Sequence, residues 1–230
     1  MMALYPVALL MTLAACPARP PAPSGEVLYR MTLVRAAPGR LLEVVGEIQS
    51  ALAGARAARP DRVPLVLRHS QGDQWDLMVL APTDMFAEVF ERGIAAPGLV
   101  AWQEDEFVRG PDIGAFEGFA TGGLYHVEMF VALPDRRGEL VREREMENAY
   151  ERALGRPTDA IFTREMGAAW DAFTIGAFRS WKHFAERDDI PSDKSATAAR
   201  AAGFEGDEKI GPYLRSLIQT HHDTLATPVR

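Results

Sequence analysis

The stretch LYRMTLVRAAPGRLLEVV, residues 28 to 45, returns without a gap as LYHVEMFVALPDRRGELV at 124 to 141. Identities fall at Leu28/Leu124, Tyr29/Tyr125, Ala36/Ala132, Pro38/Pro134, Arg40/Arg136, Glu43/Glu139 and Val45/Val141, seven in eighteen positions and far above chance. Farther along, Arg68 falls on Arg164. After a one-residue slip, QWDLMVL at 74 to 80 falls on AWDAFTI at 169 to 175, which pairs Trp75-Asp76 with Trp170-Asp171. The order of the matches is kept, as a duplication requires.

Each copy predicts the same elements. Alternating, β-rich residues at 28 to 34 and 124 to 131 predict a strand, and Pro38 or Pro134 suits the first turn of a helix that follows. The first helix carries Leu41, Leu42, Val45, Ile48 and Leu52 and stops at the Arg59-Pro60 pair. The second carries Leu140, Met146, Tyr150 and Leu154 and ends at Gly155, with Pro157 beyond. Two short strands come next, 63 to 69 with 75 to 81, and 159 to 165 with 170 to 176. A shorter helix closes each unit, with Met85, Phe86, Val89 and Phe90 in one and Phe178, Trp181 and Phe184 in the other. Fourth strands are expected at 104 to 110 and 223 to 229. Residues 187 to 212 are polar and small and predict an insertion, either a lid or a surface excursion, before a helix over 213 to 222.

Strand, helix, strand, strand, helix, strand is a ferredoxin-like α+β unit, a sheet with both helices on one face. Its bare face needs a cover, which the other copy can supply. That arrangement resembles the dimeric α/β-barrel superfamily in its fused, tandem form, which includes antibiotic-biosynthesis-type monooxygenases, NIPSNAP-like proteins and chlorite-dismutase-like haem proteins. The resemblance covers residues 27 to about 186 and rests on element order and duplication, with no family's catalytic motif. It implies two ferredoxin-like repeats, 27 to 115 and 116 to 230, whose antiparallel sheets pack face to face as a pseudo-dimeric barrel.

Composition narrows the partners. The 230 residues are 47% hydrophobic and 25% charged, ordinary for a globular chain, with net charge -7. No basic patch gathers to attract a phosphate backbone, so nucleic acid is excluded as the expected partner. The one cysteine, Cys16, permits no intramolecular disulfide and no zinc site with two thiolates. GxGxxG opening a helix, P-loop, GxSxG and CxxC patterns do not occur.

Residues 7 to 15, VALLMTLAA, form an apolar run too short to span a bilayer and suited to a signal-peptide core. Leu13-Ala14-Ala15-Cys16 resembles the bacterial lipobox, which implies a signal peptide over 1 to 15 and a lipid on Cys16. No Lys or Arg precedes the run, a departure from the usual basic start. PARPPAPSG at 17 to 25 then reads as an extended tether. The expected address is the bacterial cell envelope, periplasmic side, with the membrane reached through the lipid.

Strand alternation sorts the chemistry-bearing residues. Tyr29, Met31 and Leu33, like Tyr125, Val127, Met129 and Val131, form apolar faces expected to meet the helices. The opposite faces carry Arg30, Thr32 and Val34 in one copy and His126, Glu128 and Phe130 in the other, and are expected to look between the sheets. There Arg30, His126 and Glu128 would be partly buried, either as a structural ion-pair network or as a ligand site. Trp75-Asp76 and Trp170-Asp171 are either fold requirements or cavity lining. Glu145 and Asn148 read as a solvated helix face, and His69 and His183 as lone surface histidines. His221, His222 and Asp223 are weak metal candidates: an extended chain would put His221 and Asp223 on one face, and no zinc-type spacing is present. The leading expectation is a small, largely apolar ligand bound between the sheets. A monooxygenase-like or haem-handling enzyme and a non-catalytic assembly module are the alternatives, with cofactor and pairing to a second chain left open.

Overall fold

The structure of the protein is a computed structural model that describes residues 25–71, 73–83, 94–167 and 169–230. In chain order it contains β1 (Val27–Ala36), α1 (Leu41–Ala58), β2 (Leu65–Gln71), β3 (Leu77–Pro82), β4 (Val100–Gly110), β5 (Leu124–Ala132), α2 (Arg137–Ala153), β6 (Ala160–Met166), β7 (Ala172–Phe178), α3 (Trp181–Ala185), α4 (Ser192–Ala201), α5 (Ile210–Arg215) and β8 (Ile218–Pro228). The expected leader with Cys16 and the expected helix bearing Met85, Phe86, Val89 and Phe90 lie outside the described residues.

The repeated proline sits one step earlier than the helix. Ala37 O accepts the Arg40 N–H at 2.9 Å and Leu133 O the Arg136 N–H at 3.0 Å, so Pro38 and Pro134 occupy the second position of a tight turn. The third position has positive φ in both copies, 78° at Gly39 and 63° at Asp135. Glycine and aspartate are among the few residues that tolerate that conformation, which is why the two sequences differ there without changing the turn.

All eight strands close into one antiparallel barrel in the order β1-β3-β2-β8-β5-β7-β6-β4. Read from β4, this is β4-β1-β3-β2 followed by β8-β5-β7-β6. The two separate sheets expected to face each other are therefore joined at both edges, through β2 with β8 and β4 with β6. Joining satisfies backbone groups that two stacked sheets would leave open at four edges.

The barrel interior is one apolar cluster with members from every strand, among them Tyr29, Met31, Leu67, Met78, Val108, Val127, Met129, Phe162, Phe173 and Ala226. Phe162 stacks on Phe173 with centroids 4.7 Å apart and meets Tyr29 edge-on at 5.6 Å. The expected assignment of faces is thus inverted. Tyr29, Met31, Leu33, Tyr125, Val127 and Met129 point inward, while Val34 and Ala36 pack on Val44, Ile48 and Leu52 of α1, and Phe130 and Ala132 on Leu140 of α2. A barrel interior is walled on every side and takes the wholly apolar face; the helix layer is open at its margins and can take the mixed one.

Two further expectations change. The helix predicted over 213 to 222 ends at Arg215, and the chain is extended from Ile218, where it pairs with β5 along its length and with β2 at its end. The insertion forms α4, which docks on α2 through Tyr150, Leu154, Ala198, Ala199 and Phe204, with Tyr150 Oη 2.7 Å from Ser195 Oγ. Among the described residues no helix is long and apolar enough to cross a membrane.

Candidate functional site

Turning β5 outward takes His126 and Glu128 out of the barrel and places them beneath α2. In the β5–β8 ladder Glu128 stands opposite Asp223 and Phe130 opposite His221, so both β8 residues share the outer face with them. In the β5–β7 ladder His126 stands opposite Gly176 and Glu128 opposite Thr174. Asp159, just before β6, is held by Asn148 of α2, whose amide donates to Asp159 O at 2.8 Å and accepts from Asp159 N–H at 2.7 Å. Gly176 makes room for this carboxyl, since a Cβ there would lie 2.4 Å from Asp159 Oδ1.

His126, Glu128, Asn148, Asp159 and Thr174 line a cavity of about 270 Å³ between the outer sheet face, α2 and α3, with Phe178 and Phe184 as its apolar wall. His126 Nε2 lies 3.4 Å from Asp223 Oδ1, and His221 Nε2 lies 3.1 Å from the other Asp223 oxygen. Arg144, almost fully buried, meets Glu143 at 2.6 Å, Glu128 at 3.2 Å and Glu147 at 2.5 Å, and lies over the Phe130 ring at 5.2 Å. Glu151 is paired with Arg156 at 2.8 Å.

Carboxylates outnumber cations here, and their acidities show it. Burial lifts Glu128 to about 7, with Arg144 and His126 pulling the other way. Burial likewise lifts Asp159 to about 6, opposed by His126. Burial disfavours the His126 imidazolium, but the hydrogen bond to Asp223 and the charges of Glu128, Asp159 and Asp223 outweigh it and raise its pKa. Asp223 is held down at about 2, first by that hydrogen bond.

The other expected residues lie elsewhere. Arg30 does not join Glu128; it forms a two-point pair with Asp105 at 2.8 and 3.0 Å, on the outer face of the first half, where Thr32 and Gln103 also donate to Asp105. Asp76 and Asp171 do equivalent work in the two halves, accepting the Ala36 and Ala132 N–H groups at 2.9 Å each and so extending the β1 and β5 ladders by one bond. Trp75 Nε1 donates to Asp73 at 2.9 Å, and Asp73 also meets His222 Nδ1 at 3.1 Å, with Trp170 edge-on to His222. His222 therefore faces inward and His221 outward. His69 accepts the Asp73 N–H and His183 the Arg179 N–H.

Arg144, Glu147, Asp159, Thr174 and Gly176 were not anticipated from sequence, and Asn148 faces the pocket, not solvent. The available signal was a glycine inside a strand, which marks close approach.

No protein-family profile matches the chain, and no curated protein does. Among solved structures, an anthrone oxidase-like protein superposes with a TM-score of 0.59 at 8% identity, covering 90% of this chain and 92% of its own. A proposed monooxygenase from Lactobacillus acidophilus NCFM gives 0.54 at 6% identity over 90% and 95%. A proposed chlorite dismutase, TA0507, gives 0.51 at 10% identity over 89% and 95%. At 6–10% identity these likenesses show a shared fold, and the fold alone.

Haem, which the resemblance brought into view, does not fit this pocket. Its volume falls below the roughly 300–1,000 Å³ of ordinary small-molecule sites, and carboxylates line the space where a porphyrin needs apolar walls.

Proposed function

We propose that the chain is an enzyme of the oxygenase-like kind found in the dimeric α/β-barrel superfamily, taking a proton from a small molecule held under α2. The observation that carries this is Asp159: a half-buried carboxyl beside His126 in the pocket under α2, with its pKa lifted to about 6 by desolvation. A base poised near neutrality is what proton abstraction requires. The His126–Asp223 pair would stabilise the anion formed, and Phe178 and Phe184 would hold an aromatic or unsaturated ring. Small phenols and enolisable ketones fit this description, and the anion left on deprotonation is the electron-rich form that oxygenation consumes. The similar structures described as monooxygenase and anthrone oxidase-like proteins support the reading.

The test is a panel of such compounds incubated with purified protein, following substrate and dissolved oxygen together. Turnover is expected to rise with pH through about 6, as Asp159 ionises. Asp159→Asn is expected to lower kcat/KM by about 100-fold or more. A reaction that this variant leaves within about twofold of wild type would sink the reading.

A second reading keeps the apolar ligand but moves it. A cavity of about 580 Å³ opens at the barrel mouth, walled by Leu65, Ile113, Phe119 and Tyr125 with Arg56 and Arg230 at its rim. An apolar molecule with one anionic group suits it.

We also infer that the chain arose by duplication of one ferredoxin-like unit, and that Cys16 carries a lipid holding the barrel on the periplasmic side of a bacterial membrane. The repeat of residues 28 to 45 at 124 to 141 and the Leu13-Ala14-Ala15-Cys16 tetrad support these readings. Cys16→Ser should release the protein from the membrane fraction or leave its leader uncleaved; unchanged anchoring and processing would count against the lipid.

A further inference from the structure

Beside the same pocket lies a donor set of which the proton abstraction draws only on the His126–Asp223 pair, and only as a charge. A ring nitrogen of His126, a carboxylate oxygen of Glu128 and one of Asp223 all lie within 4.8 Å of one another. They project from adjacent hydrogen-bonded strands, Glu128 directly opposite Asp223 and His126 two residues along on the same face. Donors fixed on paired strands keep their spacing better than donors on loops.

Charge favours a cation there. Arg144 is shared among Glu128, Glu143 and Glu147, while Asp159 and Asp223 flank His126, so the local carboxylates exceed the positive groups that face them. Buried carboxylates in excess take up either protons or a metal ion. Arg144 already has Glu143 and Glu147 on its other nitrogens, so yielding part of Glu128 does not strand it.

The geometry needs little change. Donor bonds of about 2.0–2.2 Å in a tetrahedral shell set donors about 3.4 Å apart, and Asp223, whose side chain is 53% exposed, is free to turn inward by the difference. His221 steadies its other oxygen at 3.1 Å, an orienting contact of the kind metal-bound carboxylates make. One imidazole with two carboxylates suits a borderline dication.

We propose that His126, Glu128 and Asp223 bind one divalent first-row transition metal ion at the pocket rim, with open coordination positions facing the cavity. This rests on the pocket being the functional site, and it adds a Lewis acid for the oxygen of the bound substrate.

The experiment uses the full chain, stripped with a chelator and dialysed, and titrated with cobalt(II) by visible absorption and with zinc(II) by calorimetry, without substrate. One ion per chain is expected. Asp223→Asn and His126→Ala should each weaken binding by about 30-fold or more, while His69→Ala, on β2 and outside the donor set, should not. Circular dichroism checks folding, and Asp223→Asn, at a half-exposed position, carries the test if His126→Ala unfolds. Binding that is absent, or unchanged in both variants, overturns the proposal. A chain that binds no metal but loses turnover on Asp159→Asn refutes this proposal alone. A chain that binds metal through these residues but is indifferent to Asp159→Asn refutes the proton-abstraction reading alone.

Discussion

Glu106 stands opposite Met31 in the β1–β4 ladder and so points into the barrel, 1% exposed, with neither carboxyl oxygen hydrogen-bonded among the described residues. Burial lifts its pKa to about 8, with Arg164 pulling the other way. The folded chain thus keeps this proton while the unfolded chain loses it near 4.5. Stability from this group is full below the unfolded pKa and is lost as pH rises through the folded one, by up to about 1.4 kcal/mol per pH unit. Glu106→Gln is expected to flatten that decline, so urea midpoints of variant and wild type should diverge from pH 5 to pH 8 in the variant's favour. A constant difference across that range would mean Glu106 ionises in the folded barrel. Alternation in the sequence put His126 with Glu128 and, for an extended chain only, His221 with Asp223; the β5–β8 ladder puts all four on one face. Alternation could not show which face is inside, because Phe130 and Val34 on the outer side are as apolar as Val127 and Met129 on the inner. The wholly apolar side goes inward because no solvent margin exists there; the mixed side survives because Arg144 comes down from the helix to meet it.

That helix, α2, is the element least legible from its sequence. Its apolar set of Leu140, Met146, Tyr150 and Leu154 and its end at Gly155 were anticipated, but Glu143 and Arg144, buried beside Leu140 and Tyr150, were not. Buried charge leaves no mark of its own in a hydrophobic pattern, since part of what compensates it comes from a distant strand. α1, likewise anticipated with its end at Arg59-Pro60, buries Val44, Ile48 and Leu52 at ordinary helical spacing, while Leu42, expected on its apolar face, is 74% exposed. Arg144 ties α2 to β5 through Glu128 and to its own helix through Glu143 and Glu147. Arg144→Ala leaves these carboxylates without their cation, and a loss of about 3–5 kcal/mol is expected, read from urea unfolding at pH 7. A loss under about 1 kcal/mol would show that the acids had simply protonated and that the helix is held by Leu140 and Tyr150 alone.

The whole barrel is joined by two short seams. β2 meets β8 through four paired positions and β4 meets β6 through three, whereas β1 with β4 and β5 with β8 pair over most of their lengths. Each half is thus well hydrogen-bonded within itself, and the repeat made that internal order legible. Closure was not legible, because edge pairing depends on register between segments whose side chains carry no mutual signal. What holds the halves together is the interior, where Tyr29, Met31 and Met78 of one pack with Val127, Phe162 and Phe173 of the other. Cutting the chain at 115/116 would expose both inner faces, each buried large side chain representing roughly 1.5–3 kcal/mol. Residues 27–115 and 116–230 expressed separately are therefore expected not to persist as folded monomers. Each should self-associate or aggregate, and mixing the two should restore the circular dichroism and cooperative melting of the intact chain. Light scattering coupled to size exclusion reads this directly. A half that elutes as a monomer and unfolds cooperatively would show that its sheet and helices suffice, and that the shared interior adds packing to units already stable alone.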